Sequence, residues 1–287
     1  MLRITYYVSV NFCCRRVAIP RVLRYFPGVK SNLALLAAVV FSTLNSQAEI
    51  QFKTVEYQAG DTTCEGVFVT DSLLMNRGPA VLIAHQWKGL SDYEKKRAEM
   101  LVKLGYRVFC ADVYGKGVRA DNPQDASQLA ARYKENRPLL RERINAALAT
   151  LKQQPGVNTN RIAAIGYCFG GTTVLELARS GAELKGVVSF HGGLGSPTPA
   201  DARNIKSQVL VLHGADDPFV PAAEVAGFEQ EMRDAKVDWQ LVSYGGAVHS
   251  FTDWNAGNDN SKGSAYNEKA DHRSWEAMKA FFEEVLK

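Results

Sequence analysis

Gly166-Tyr167-Cys168-Phe169-Gly170 decides the fold of this chain. The pentapeptide has the glycine-x-nucleophile-x-glycine spacing of a strained strand-to-helix turn, with cysteine where most such turns carry serine. Residues 161–165 before it read as a short apolar strand, and residues 172–179 after it read as a helix. The glycines suit a tight turn with close strand–helix approach, and a helix N-terminus lowers a thiol pKa. The pattern therefore predicts Cys168 as an activated nucleophile presented by the turn, with a buried structural cysteine as the alternative.

Two later segments offer partners for a cysteine nucleophile. The apolar strand 209–212 runs into an acidic turn that contains Asp217, and the strand 241–244 runs into a glycine-rich loop that ends in His249. The order nucleophile, acid, histidine is that of α/β-hydrolase triads, whose members lie on loops at the carboxyl ends of strands. The imidazole would take the thiol proton, the carboxylate would fix the imidazole tautomer, and the thiolate would attack an acyl carbon.

The acid and the base each have competitors in the sequence. Asp217 is favoured over Asp216 because it directly precedes Pro218, and Asp216 then reads as a turn or capping residue. His249 is the predicted base, whereas His213 at a strand end reads as a structural histidine. The other histidines have no such position in the pattern: His85, His191 and His272.

From about residue 78 to the C-terminus the chain resembles the dienelactone hydrolase family. The resemblance rests on the cysteine turn, on Asp217-Pro218-Phe219-Val220-Pro221, on Val248-His249-Ser250-Phe251, and on a closing helix with Trp275. It implies an α/β-hydrolase fold, with a mostly parallel central sheet and helices on both faces. It also implies hydrolysis of a small ester or lactone through a thioester acyl-enzyme. The matching oxyanion-hole donors are the backbone N–H groups of Trp87 and Phe169.

Three positions depart from the family members that hydrolyse dienelactone. Those members carry glutamate at the position of Gln86 and arginines near Lys116 and Asp253, where they hold the substrate carboxylate. Lys116 could pair with a carboxylate as a point charge, whereas Asp253 would repel one, and both could equally be solvated loop charges. The resemblance therefore carries acyl hydrolysis over to this chain but not dienelactone itself as the substrate.

Aromatic residues on loops at the same end of the predicted sheet could line an apolar pocket, or could simply pack. They are Trp87, Tyr114, Phe169, Phe251 and Trp254. The residues predicted to contact substrate are Gln86, Tyr114, Lys116, Phe251 and Trp254.

Strands alternate with helices over residues 49–287, which predicts one α/β domain. A hairpin is expected at 50–57 and 64–70, followed by strands at 80–85, 107–112, 162–166, 186–190, 209–213 and 240–244. Helices are expected at 92–104, 123–152, 169–180, 222–235 and 266–286.

Residues 1–48 read as a leader. Lys30, the apolar run 33–44 and Ser46-Gln47-Ala48 form the parts of a secretory signal cleaved after Ala48, and the run is too short for a membrane anchor. Residues 1–28 have no pattern of their own, so the functional leader is expected at 29–48, with Val29 as the start. The mature protein, 49–287, is expected in the periplasm or outside the cell, with no stable membrane span.

Removing the leader deletes six basic residues and no acidic ones, so the formal charge falls from +4 to −2. No basic motif then remains that would favour nucleic acid. The remaining cysteines are Cys64, Cys110 and Cys168, which is an odd number. Cys64 and Cys110 lie on predicted strands and are expected as free thiols rather than as a disulfide.

The sequence has no Cys/His spacing typical of a zinc site, no phosphate-binding glycine loop and no dinucleotide fingerprint. Neither a metal nor a cofactor is therefore expected.

The predicted function is that of a hydrolase acting on a small-molecule ester or lactone, with its oligomeric state left open. Two alternatives use the same features. A thiol-based redox sensor would react with peroxide without turning over esters, and a binding protein on a hydrolase scaffold would have a pocket without activity.

Overall fold

One sheet organises residues 49–287, the part of the chain that the computed structural model describes. The predicted leader lies outside these residues. The strands are β1 (Ile50–Ala59), β2 (Thr62–Asp71), β3 (Gly78–Ala84), β4 (Arg107–Ala111), β5 (Val157–Tyr167), β6 (Gly186–Phe190), β7 (Gln208–Gly214) and β8 (Trp239–Tyr244). The helices are α1 (Asp92–Lys103), α2 (Pro123–Lys134), α3 (Arg137–Lys152), α4 (Phe169–Arg179), α5 (Ala222–Ala235) and α6 (Glu268–Val285).

The strand order is β1-β2-β4-β3-β5-β6-β7-β8. The first two strands form an antiparallel hairpin, and β2 pairs antiparallel with β4. Every other neighbouring pair is parallel. Parallel strands end at the same edge of a sheet, so the loops after β3 to β8 meet there. The mostly parallel α/β sheet predicted from the alternating pattern is confirmed.

Helices cover both faces of the sheet because the central strands are apolar on both sides. The segment Ile162-Ala163-Ala164-Ile165 of β5 is fully buried, with exposures of 1% or less. Its alternate residues belong to two separate cores: one is shared with α2 to α5, and the other with α1 and α6. Among residues 49–287, no helix has the combination of length and apolarity that spanning a membrane requires.

The single helix predicted at 123–152 is wrong, since two helices occupy this segment. The first, α2, ends at Lys134, and Asn136 caps the second by accepting the backbone N–H of Leu139 at 3.1 Å. Pro138 explains the break: it has no N–H to donate, and its ring would clash with the carbonyl four residues earlier in a continuous helix.

Candidate active site

Cys168 lies between β5 and α4, in a backbone conformation that residues with a side chain rarely adopt (φ 56°, ψ −115°). Two glycines make this turn possible. A Cβ on Gly166 would lie 1.9 Å from the carbonyl oxygen of Gly170, and a Cβ on Gly170 would lie 2.2 Å from the carbonyl oxygen of Ala84. Neither position accepts a side chain, so the sequence Gly-Tyr-Cys-Phe-Gly fixes where the Cys168 sulfur is presented.

Two loops at the same edge of the sheet bring His249 and Asp217 to this sulfur. The Nε2 atom of His249 lies 3.1 Å from Cys168 Sγ, and its Nδ1 atom lies 2.8 Å from Asp217 Oδ2. The backbone of His249 is held from both sides, since its N–H donates to the Gly263 carbonyl and its carbonyl accepts the Ala265 N–H, both at 3.1 Å. The histidine ring is thus fixed between a thiol and a carboxylate.

The two adjacent aspartates have different partners. Asp217 is buried, and its second carboxylate oxygen accepts the backbone N–H of Phe219 at 2.8 Å. Asp216 instead accepts the backbone N–H of Gly246 at 3.0 Å, which ties the loop after β7 to the loop after β8. The carboxylate beside the histidine is therefore Asp217, and Asp216 acts as a turn residue.

The contact between Cys168 and His249 changes the pKa of both groups. Burial opposes a thiolate, but His249 beside the sulfur, together with Lys134 and the Phe169 backbone N–H, lowers the pKa of Cys168 below its ordinary value. Burial also opposes an imidazolium, yet the Cys168 sulfur and Asp217 raise the pKa of His249 to about 10. Both shifts favour a thiolate–imidazolium pair at neutral pH.

The two backbone groups predicted to bind an oxyanion come from the loop after β3 and from the start of α4. The Phe169 N–H lies at the start of α4 and helps to lower the pKa of Cys168. The Trp87 N–H has no acceptor among residues 49–287, and its carbonyl accepts the Tyr114 hydroxyl at 2.9 Å. An N–H without an acceptor at this loop is what an oxyanion donor requires.

Glu94, which the sequence reasoning overlooked, holds the loop that carries Trp87. Its buried carboxylate accepts the backbone N–H of Gln86 at 3.0 Å and that of Ser91 at 2.9 Å. Ser91 and Glu94 form a capping box at the start of α1, and the Ser-x-x-Glu spacing in the sequence was a usable signal.

The predicted substrate contacts Gln86 and Tyr114 are buried and close to the loop of Trp87. Gln86 donates its side-chain amide to Asp253 Oδ2 at 3.1 Å, so two of the departures from the family pattern form one pair. Tyr114 packs its ring against His85 and Phe169, with centroid distances of 4.6 and 5.2 Å. Burial, and then the nearby Cys168, raise the pKa of the Tyr114 hydroxyl, which stays neutral.

The other three predicted contacts have partners of their own. Lys116 is exposed and forms ion pairs with Glu56 and with Glu65 (3.6 Å) on the β1–β2 hairpin. Phe251 is completely buried against His191 and Tyr244, so it lines no open surface.

Trp254 is 37% exposed and packs against the Arg97 guanidinium and the Tyr93 ring. It borders a cavity of about 480 Å³ on the side of α6, which none of the three residues Cys168, His249 and Asp217 lines.

The other two cysteines of residues 49–287 form no disulfide. Cys64 and Cys110 are free and buried, as expected. Within residues 49–287, no three His, Cys, Asp or Glu side chains are grouped so that they could hold a metal ion.

Comparisons with known proteins agree on one family. The sequence profile of the dienelactone hydrolase family matches residues 66–286. A protein of Aquifex aeolicus named "Putative carboxymethylenebutenolidase" is 29% identical over 237 residues, which cover 81% of this chain and 98% of that protein.

Solved structures lead to the same family. A dienelactone hydrolase-like promiscuous phosphotriesterase from metagenomic libraries is 42% identical, with a TM-score of 0.79 and coverage of 83% of this chain and 99% of that chain. A dienelactone hydrolase of Anabaena variabilis, 20% identical with a TM-score of 0.60 and coverage of 83% and 99%, supports the fold. This chain belongs to the dienelactone hydrolase family and is a carboxylic ester hydrolase that acts on a small molecule.

Proposed function

We propose that the protein cleaves a small, uncharged ester or lactone by covalent catalysis, with Cys168 as nucleophile, His249 as base and Asp217 as the carboxylate that orients the imidazole. One observation carries the proposal. A continuous path of contacts, 3.1 Å and then 2.8 Å, joins the sulfur to the imidazole and the imidazole to the carboxylate. Separations of this size are what nucleophile activation by an oriented base requires.

In the acylation step, the Cys168 thiolate attacks the carbonyl carbon and the carbonyl π electrons move to oxygen. The backbone N–H groups of Trp87 and Phe169 stabilise that oxyanion, an effect worth several kcal/mol in comparable sites, about 3 to 4 per donor. The oxyanion collapses, the bond to the alkoxy oxygen breaks, and the His249 imidazolium gives that oxygen its proton. The products are an alcohol, or the open end of a lactone, and a thioester on Cys168.

In the deacylation step, His249 takes a proton from water as the water attacks the thioester carbonyl. The carbon–sulfur bond then breaks and returns the thiolate, with the carboxylic acid as the second product. Asp217 keeps the Nδ1–H of the imidazole pointing at its own oxygen, so that Nε2 faces the reacting atoms in both steps.

The charges around the site favour a substrate without a carboxylate. Asp253, which pairs with Gln86, places a negative charge where a carboxylate anchor would be needed. Lys116 is already paired with Glu56 and Glu65 on the hairpin. A neutral aryl or alkyl ester, or a neutral lactone, therefore fits the site better than dienelactone does.

Neutral phosphotriesters are a second candidate substrate class. The observation that favours them is the 42% identity to a structure named a promiscuous phosphotriesterase. The same thiolate would attack phosphorus and expel an aryl oxide, which His249 would protonate.

A substrate panel combined with trapping of the intermediate tests the proposal. The panel contains p-nitrophenyl esters of rising chain length, aryl lactones, dienelactone and an aryl dialkyl phosphate. With the best ester, rapid acid quench and peptide mass spectrometry should find the acyl mass on the Cys168 peptide of the wild type and not of Cys168→Ala. Peroxide reactivity with no turnover of any panel member would instead favour the thiol sensor.

A further inference from the structure

His191, directly after β6, forms a hydrogen bond with the backbone of Cys168. The Cys168 backbone N–H is shared between two acceptors: it donates to His191 Nδ1 at 3.1 Å and to the Phe190 carbonyl at 3.0 Å. The ring is buried, with 1% exposure, and the residue has the left-handed φ of 40° that glycine adopts more readily.

The hydrogen bonds of His191 fix which nitrogen carries its proton. Because Nδ1 faces an N–H, it must be the unprotonated nitrogen, and the single proton of the neutral ring is on Nε2. That Nε2–H points at the Thr252 hydroxyl oxygen, 2.7 Å away. A protonated ring would place a second N–H against the N–H of Cys168.

A chain of buried groups holds the Thr252 hydroxyl in place. It lies 2.7 Å from the Tyr93 hydroxyl, which accepts the Nε–H of Arg97 at 3.2 Å. Arg97 is fixed by Asp271 at 2.6 Å and by the Thr252 carbonyl at 2.8 Å. Thr252 and Arg97 are exposed by 1% or less, so water does not compete for these bonds.

The charged groups that face His191 also keep it neutral. Burial, with the cations His249 and Arg97 nearby, lowers the pKa of His191 well below its ordinary value. The ring centroids of His191 and His249 are 5.4 Å apart. A neutral His191 therefore adds no positive charge beside the imidazolium that the proposed reaction needs.

We propose that His191 is a positioning residue for the nucleophile: locked as the Nε2–H tautomer by Thr252, it holds the Cys168 N–H through Nδ1 and so keeps the sulfur aimed at His249. This inference rests on the proposed function, in which Cys168 is the nucleophile. Loss of the tautomer lock would let the strained turn relax, and the sulfur would leave its 3.1 Å contact with His249.

Variants of Thr252 test whether its hydroxyl fixes the tautomer of His191, because they leave both imidazole rings, His191 and His249, in the protein. Thr252→Val removes the hydroxyl at nearly constant volume, and Thr252→Ser keeps it. For Thr252→Val we expect iodoacetamide to alkylate Cys168 about 10-fold more slowly at pH 6, with an upward shift in the pH midpoint of alkylation, and kcat to fall about 10-fold at unchanged KM. Thr252→Ser should stay within about 3-fold of wild type in each measurement.

Variants of His191 distinguish the role of its Nδ1 atom from that of its Nε2 atom. Asparagine can present an acceptor where Nδ1 stands, whereas glutamine reaches only the position of Nε2. We expect His191→Asn to alkylate at pH 6 at least about 10-fold faster than His191→Gln, with both assayed well below their melting temperatures. A glutamine variant as fast as the asparagine variant, or equal behaviour of Thr252→Val and Thr252→Ser, overturns the proposal.

The alkylation measurement is independent of ester turnover. If the wild type hydrolyses no panel member, the proposed function fails, while the alkylation rates of the two variant pairs still decide the role of His191. If the wild type is active and the pairs show no difference, only the role of His191 is rejected.

Discussion

The surroundings of the Cys168 sulfur differ from those of the other two described thiols. Burial raises the pKa of Cys64 to about 11 and that of Cys110 well above its ordinary value, whereas His249 lowers that of Cys168. The thiolate fraction rises with pH through each pKa, so near pH 7 only Cys168 should have appreciable thiolate. Of these three cysteines, we expect iodoacetamide at pH 7 to label Cys168 alone, as measured by peptide mass spectrometry. Equal labelling of the three peptides would show that His249 does not activate the sulfur.

Gln86→Glu should slow the alkylation of Cys168. The substitution replaces an amide that donates to Asp253 with a carboxylate. The family resemblance places this position beside the nucleophile, where an added negative charge disfavours the thiolate. We expect alkylation at pH 6 about 10-fold slower than in the wild type, a shift of about one pKa unit. Gln86→Met is the matched control, since it removes the hydrogen bond without adding charge. A Gln86→Glu variant that alkylates as fast as Gln86→Met would show that position 86 does not control ionisation.

Of the residues around the sulfur, the sequence predicted only those that directly follow a predicted strand. Cys168, Asp217 and His249 each follow an apolar strand, and parallel strands end at one edge. His191 also follows a strand, but its role depends on a contact with a backbone N–H, and no side-chain pattern encodes such a contact. The ion pairs of Lys116 could not be predicted either, because its partners, Glu56 and Glu65, lie on a hairpin that is distant in the sequence.

At the scale of elements, the close packing of β3, β5 and α4 depends on Gly170. In Gly170→Ala the new Cβ would meet the backbone of Ala84 at 2.2 Å, and a strand in the middle of the sheet cannot give way. We expect a loss of about 3 kcal/mol or more in the free energy of unfolding, measured with urea.

Gly227, on the exposed side of α5, is the matched control because nothing lies within 4 Å of its added Cβ. Gly227→Ala should leave the stability unchanged or raise it by about 0.5 to 1 kcal/mol. Equal unfolding free energies for the two variants would mean that strand and helix are not packed as tightly as described.

The elements that the sequence predicted correctly are those with strong periodic patterns. The apolar runs of β3 and β5 to β7 are typical of buried strands, and the alternation of strands and helices predicts the observed parallel sheet. The break between α2 and α3 was missed because the apolar periodicity continues across it. Pro138 and the capping residue Asn136 are the sequence features that indicate the start of a new helix.

At the scale of the whole molecule, residues 1–48 and residues 49–287 differ in composition. The small residues Ser46 and Ala48 at the end of an apolar run motivate the expectation that the protein is exported and begins at Glu49. Intact mass and N-terminal sequencing of protein isolated from the periplasm or the medium check this. A cytoplasmic form that retains residues 33–44 would contradict it.

In the proposed mechanism, the fold presents the Cys168 sulfur to the acyl carbon of the substrate. The most direct test of this mechanism is the steady-state rate of Cys168→Ala on the best ester of the panel, with circular dichroism to show that the fold is retained. We predict that kcat/KM falls by about four orders of magnitude or more, because no other group in the contact path can form the thioester. A folded Cys168→Ala protein that turns over the ester at the wild-type rate would rule out Cys168 as the nucleophile.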